Sequence, residues 1–183
     1  MRYLIVSDSH GKNKNLFEVL ENVAPIEAVF HLGDLGMPIE VLESIAECPV
    51  YSVAGNCDYN SNMESEQVVE IEGHRVAMTH GHMHRVNYSF DKVLAWGKSQ
   101  GAEVVMFGHT HEPLHIDGGG ITVINPGSIE EPRQSSGIPT YAVMEIDEKG
   151  EFHFTMNEVG DFNKSRIKWC GFRKGFKRVP EKH

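Results

Sequence analysis

The sequence predicts an α/β fold, specifically a four-layer α/β/β/α sandwich in which two mixed sheets pack face to face with helices outside. Three observations predict it. Apolar strand-like runs alternate with amphipathic helical segments through the first third of the chain. From about residue 66 the pattern changes to β-rich runs joined by tight-turn residues. Hydrophobic residues make up 40% of 183 residues, enough for a substantial core, in a chain whose length fits one domain of about 100–200 residues.

Arg2–Ser7 (RYLIVS) reads as a buried strand. Lys14–Ala24 follows, with Leu16, Phe17, Leu20 and Val23 expected on one helical face. Glu27–Leu32 is a second strand, Pro38–Glu47 a helix with proline near its first turn, and Val50–Val53 a third strand. Short loops between strands and helices imply βαβ units and a mostly parallel sheet. Gln67–Ile71 and Arg75–Thr79 flank Glu72-Gly73-His74, a hairpin signal. Ser89–Gln100 fits a helix anchored by Val93, Leu94 and Trp96, and Glu103–Phe107 another strand. Leu114–Ile116 with Ile121–Ile124, and Thr140–Ile146 with Glu151–Met156, read as two more hairpins. The second half is therefore expected to be largely antiparallel.

No apolar run approaches the roughly 20 residues a membrane helix needs, and the opening MRYLIVSDSH reads as a strand, not a signal peptide. Three scattered cysteines, Cys48, Cys57 and Cys170, fit reduced thiols and a cytoplasmic setting better than a disulfide framework. Charge is uneven. From Asp161 onward eight Lys and Arg face two acidic residues, giving +6, so residues 1–160 carry −15 of the net −9. The organisation read from this is a domain over 1–160 and a basic, aromatic extension over 161–183. An acidic body repels nucleic acid at long range.

Eleven histidines are the most telling feature of the composition, since histidine is the commonest metal ligand and the main acid–base group near neutral pH. Their placement carries the argument. Strands end in Ser7-Asp8-Ser9-His10-Gly11, Gly33-Asp34, Gly55-Asn56-Cys57-Asp58, Thr79-His80-Gly81-His82 and Gly108-His109-Thr110-His111. In an α/β sheet, ligands bind outside the carboxyl ends of strands, so five such ends can build one polar basin. Asp8 with His10, and His109 with His111, are each two apart, which in extended chain turns both side chains the same way. Mixed carboxylate and imidazole donors suit divalent first-row metals. Taken singly, Asp8 and Asp34 could be helix caps, and Asn56 a turn residue.

In that order, DSHG, GD, GNCD, THGH and GHTH resemble the calcineurin-like metallophosphoesterase superfamily, and most closely its small bacterial and archaeal phosphodiesterase branch; Asn125-Pro126-Gly127-Ser128 with Pro132-Arg133 also resembles that branch. The resemblance covers roughly residues 1–157. It implies a phosphodiesterase with two divalent ions per chain, manganese first, with iron, nickel, cobalt or zinc as alternatives. Asp8, His10 and His111 would hold one ion, Asn56, His80 and His109 the other, and Asp34 would bridge them. Such ions lie about 3.5–4 Å apart and generate a bridging hydroxide nucleophile. Asn56, His80, Asp34 and His82 would carry the chemistry. Cys57 stands where many relatives have a histidine that protonates the leaving group, so His82, His84 or Asp58 must compensate or good leaving groups must be favoured. Arg133 is a candidate for contact with substrate phosphate. A non-catalytic scaffold of the same fold is the alternative function. His31, between Phe30 and Leu32, is expected to pack under the site. The basic tail, with Trp169, Phe172 and Phe176, is read as docking on its own body or a sister subunit in a homo-oligomer; a nucleic-acid grip is the less favoured reading.

Overall fold

The computed structural model describes residues 1–59 and 61–162. Ten strands and three helices are found among them: β1 (Arg2–Val6), α1 (Lys14–Val23), β2 (Ala28–His31), α2 (Ile39–Ala46), β3 (Val50–Ser52), β4 (Glu66–Ile71), β5 (His74–Thr79), α3 (Asp91–Ser99), β6 (Val104–Phe107), β7 (Pro113–Gly118), β8 (Ile121–Pro126), β9 (Thr140–Ile146) and β10 (Phe152–Glu158). They form two five-stranded sheets, ordered β10-β9-β1-β2-β3 and β4-β5-β6-β8-β7. Trp169, Cys170, Phe172, Phe176 and the rest of the basic tail, with the docking expected of it, lie outside the described residues, apart from Asp161 and Phe162. Among the described residues no helix is long and apolar enough to cross a membrane.

Alternation in the strands builds the layers. Tyr3, Ile5, Phe30, Ala142 and Met144 of the first sheet point inward against Val76, Met78, Val104, Met106 and Ile124 of the second. The intervening residues Leu4, Val6, Val29 and Val143 point outward and are covered by Leu16, Val19, Leu20 and Val23 of α1 and Leu42 of α2. On the far face Ala77, Val105, Phe107 and Val123 are covered by Val93 and its neighbours in α3. Central strands are thus buried on both faces, which is why β1, β2 and β6 read as nearly unbroken apolar runs.

The structure corrects the sequence reading of α1 and refines that of the later strands. On α1 Val19 joins the fully buried set, whereas Phe17 is only partly buried. At about 100° per residue, Val19 falls about 60° from Leu16 and Phe17 about 100°. The second half is largely antiparallel, as expected, but β5 and β6, and β6 and β8, pair parallel at the centre of their sheet. The third hairpin joins the first sheet, with β9 antiparallel to β1. Val159 and Phe162 pack against the core beneath α1, so apolar packing runs two residues beyond Gly160.

Candidate metal centre

The carboxyl ends of β1, β2, β3, β5 and β6 open on one edge of the sandwich, and the loops leaving them are laced together. Past the strands, the main chain of Asp8, His10 and Gly11 donates in turn to the carbonyls of Gly33, Asp34 and Leu35. Gly108 N–H donates to His80 O at 3.1 Å, tying the two loops of the second sheet. Two glycines let these loops touch. A Cβ on Gly55 would overlap the Asp34 carboxylate, and one on Gly108 would overlap Ser7 Oγ.

Asp8 and Asp34 are buried and treated alike. Asp8 Oδ2 accepts from His109 N–H at 3.1 Å, and Asp34 Oδ1 accepts from Cys57 N–H at 2.7 Å. That leaves Asp8 Oδ1 and Asp34 Oδ2 facing the basin. Asp8 Oδ1 lies 3.1 Å from His111 Nε2, and 3.9 Å from both His10 Nε2 and His80 Nε2. Asp34 Oδ2 lies 3.5 Å from His80 Nε2 and 3.8 Å from His10 Nε2. Yet Asp8 Oδ1, fully buried, accepts no hydrogen bond of good geometry. A buried carboxylate oxygen in that condition is costly unless a cation completes it.

The imidazoles are oriented from behind. His80 Nδ1–H donates to Leu32 O at 2.7 Å, and His111 Nδ1–H donates to Glu131 O at 2.6 Å. Carbonyls only accept, so both rings turn an Nε2 lone pair into the basin, the arrangement that metal-binding histidines require. His10 Nε2 and His111 Nε2 stand 3.3 Å apart, and Asn56 Oδ1 lies 3.2 Å from His80 Nε2. Asn87 Nδ2–H donates to His109 Nε2 at 2.8 Å. A half turn of the Asn87 amide would instead accept Nε2–H and free His109 Nδ1. Ligand atoms of Asp8, His10 and His111, of Asp8, Asp34 and His80, and of His10, Asp34 and Cys57 each fall within 4.8 Å of one another.

The backbone differs from the extended pairs expected. Asp8, His10, Asp34, His109 and His111 all have positive φ, between 49° and 69°. Asp8 and His10 converge through left-handed kinks, not through an extended segment, and His109 enters none of these ligand groups. Non-glycine residues in this conformation are strained and cluster at functional sites. Neither aspartate caps a helix: α1 is preceded by Asn13 and α2 by Pro38.

Electrostatics fit a cation trap. Burial opposes ionisation of Asp8, but the adjacent imidazoles of His111, 3.1 Å away, and His80 outweigh it and lower its pKa. Asp34 is likewise buried, yet His80 and the Cys57 N–H hold it well below the usual carboxylate range. The same pairings raise His80 and His111 despite their burial. His82 and His109 move down, through burial and then the nearby His80. Ionised carboxylates drawing protons onto adjacent imidazoles would draw a divalent cation more strongly.

The remaining candidates separate. His82 belongs to the basin, its ring 5.4 Å from His80 and 6.1 Å from His109. Arg133 lies at the rim, its N–H on His111 O at 3.1 Å. His84 is engaged by Glu66 at 2.8 Å and stacks on Trp96, which holds it on the α3 side. Asp58 has its carboxylate occupied by three backbone N–H groups, of Asp34 (2.7 Å), Gly55 (2.8 Å) and Gly36 (3.2 Å). It clamps two ligand loops together. Cys57 is exposed, and burial of its thiol, then Asp34, raises its pKa.

The supporting residues were largely silent in sequence. Asn87 sits in a loop without a motif. Asn125 donates to Gly108 O and Thr110 Oγ1, and Ser128 Oγ donates to Asp8 O, so the Asn125–Ser128 loop closes under the GHTH segment. His31 is fully buried, its Nε2–H on Ser9 Oγ at 3.0 Å while Ser9 donates to Leu35 O. It underlies the site as read from sequence. Burial lowers its pKa to about 4. An unfolded histidine takes a proton near pH 6.5. His31 therefore contributes stability in full above pH 6.5, lost as pH falls to about 4, with a total of about 3 kcal/mol. Urea unfolding of metal-free protein should show His31→Gln to be less pH-dependent than wild type between pH 6.5 and 4. Equal slopes would remove His31 from the account. His82 and His109 act with the same sign in both proteins, so the difference isolates His31.

Comparison with known proteins places the chain in a family. The sequence profile of the calcineurin-like phosphoesterase superfamily domain matches residues 1–149. The chain is 31% identical over 148 residues to the probable metallophosphoesterase YsnB of Bacillus subtilis, covering 80% of this chain and 85% of that protein. It is 28% identical over 168 residues to the phosphodiesterase MJ0936 of Methanocaldococcus jannaschii, covering 81% and 95%. A predicted phosphoesterase of Streptococcus pneumoniae superposes with a TM-score of 0.76 at 31% identity, covering 86% and 89% of the two chains. A Vps29 of Entamoeba histolytica superposes at 0.73 with 20% identity over 91% and 98%, a likeness of fold alone.

Proposed function

Because this chain belongs to the calcineurin-like phosphoesterase superfamily, we propose that it is a metal-dependent phosphodiesterase that works with two divalent ions, manganese first. The observation that carries this reading is the buried Asp8 Oδ1, which lacks a hydrogen bond among three imidazoles and faces the same basin as Asp34 Oδ2. Two bound dications would supply Lewis acidity and an acidified bridging water as nucleophile. Asp8, His10 and His111 would hold one, Asn56, His80 and His109 the other, and Asp34 both.

The protein's own part is to place these donors and keep them placed. Leu32 O and Glu131 O fix the ring tautomers of His80 and His111. The Asn56 amide and His80 face the same side of the basin as His82, where a phosphoryl oxygen would gather charge. Seven ligand positions filled with competent donors favour turnover over a scaffold role. The domain is taken as residues 1–160, with the basic extension docking on its own body or a sister subunit. The cytoplasmic setting is inferred from the three scattered cysteines of the sequence.

Cys57 sets the leaving-group preference. Its thiol, raised by burial and Asp34, is a weak proton donor at neutral pH, so activated diesters should be cleaved better than monoesters or unactivated diesters. Asn56 Nδ2 lies 3.3 Å from Sγ, at the edge of the basin. Cys57→His should restore a general acid, which is worth about 10²–10⁴-fold where the leaving group needs protonation. The measurement is kcat/KM for p-nitrophenyl and alkyl diesters in wild type and variant. The alkyl substrates should gain at least about tenfold more than the p-nitrophenyl ones. An equal gain, or none, would place Cys57 outside the leaving-group position.

A further inference from the structure

Beside the basin lies a second feature that the metal chemistry does not use, a cavity of about 370 Å³. It falls within the range of about 300–1,000 Å³ typical of small-molecule pockets. One wall is apolar, made by Val86, Phe90 and Leu114. All three belong to the cluster under α3, Val86 buried and Phe90 and Leu114 only partly so. Phe90 is braced by Phe107, with ring centroids 5.5 Å apart. The polar part of the lining is Asn87, Thr110, Glu112 and Arg133.

These polar residues join the cavity to the metal centre. Thr110 lies between His109 and His111 in the chain, and its Oγ1 accepts from Asn125 at 3.0 Å. Asn87 Nδ2–H donates to His109 Nε2 at 2.8 Å, and the main-chain N–H of Arg133 donates to His111 O. A phosphate seated between the ligands would therefore have one ester arm facing this cavity. That arm meets a rigid aromatic and aliphatic wall with a hydrogen-bonding rim.

We propose that this cavity is the subsite for one organic group of the phosphodiester, and that it selects a planar, ring-bearing group of aromatic or nucleoside size. The inference rests on the phosphodiesterase reading. It adds a preference that the metal ligands alone cannot supply, because they contact only the phosphoryl group. Burial of one ring against Phe90 and Leu114 contributes about 1.5–3 kcal/mol, or about ten- to a hundredfold in affinity.

Three diesters sharing one leaving group test it: methyl, phenyl and thymidine-5′ p-nitrophenyl phosphate, assayed on manganese-loaded protein. Both ring substrates should show KM at least about tenfold below that of the methyl ester. A low KM for thymidine alone would mark a nucleoside site, and for both a general ring site. Leu114→Trp, which fills the cavity, should bring the ring-to-methyl ratio to within about threefold, and Leu114→Ala should lower it partway. Melting curves establish that each variant is folded. Isothermal titration with phenylphosphonate and methylphosphonate reads the pocket without turnover. Tighter phenylphosphonate binding, lost in Leu114→Trp, supports the subsite even if no diester is hydrolysed, in which case the catalytic reading alone fails. Equal KM values with equal phosphonate affinities in the wild type overturn the subsite, as does a ratio untouched by both variants.

Discussion

Asp34→Ala should lower diester hydrolysis by at least about a thousandfold while leaving the protein folded. Removal of one group that stabilises transition-state charge typically costs 10²–10³-fold, and Asp34 is placed to serve both ions. Its Oδ2 faces His80 and His10 at 3.5 and 3.8 Å, on the two sides of the basin. Its Oδ1 is already committed to the Cys57 N–H. Loss of the side chain removes the link between the two ligand sets and unties the Asn56 loop. Steady-state kinetics with an activated diester, beside a melting curve, check this. Near-normal turnover would refute the bridging role.

Asp58→Ala should act differently, through stability. The carboxylate accepts three backbone N–H groups that join the Asp34 loop to the Gly55 loop. Hydrogen bonds to charged groups are worth about 1.5–3 kcal/mol each. These three are partly solvated, so about 3 kcal/mol in total is expected, a fall in Tm of roughly 6–12 °C. Activity should fall with it, because the released loops carry Asp34 and Asn56. Asp58→Asn keeps an oxygen acceptor and should recover a good part of both. Were Asp58 instead the proton donor missing at Cys57, Asp58→Asn would lose kcat on poor leaving groups with Tm unchanged. The two variants, measured for Tm and kcat, separate the roles.

The basin was legible in sequence because its donors sit directly after short apolar strands, where strand ends deliver side chains to a common edge. Asp8, His10, Asp34, His80 and His111 could be named together for that reason. The conformation that makes them converge could not, because positive φ at Asp8, His10, His109 and His111 is imposed by the surrounding loops against local preference. The jobs of Asp58 and Asn87 were equally hidden. Each depends on which loop lies across from it, and GNCD invites reading Asp58 as an acid, not as a clamp. Layering was legible from the unbroken apolar runs of β1, β2 and β6. The destination of β9 was not, since its alternation fits an antiparallel partner in either sheet.

The most direct test of the central claim is a metal count on wild type and Asp34→Ala, after saturation with manganese and removal of free ion. Elemental mass spectrometry should find two ions per wild-type chain and fewer than two in the variant. No retained ion in the wild type, or two in both proteins, would contradict a binuclear centre bridged by Asp34.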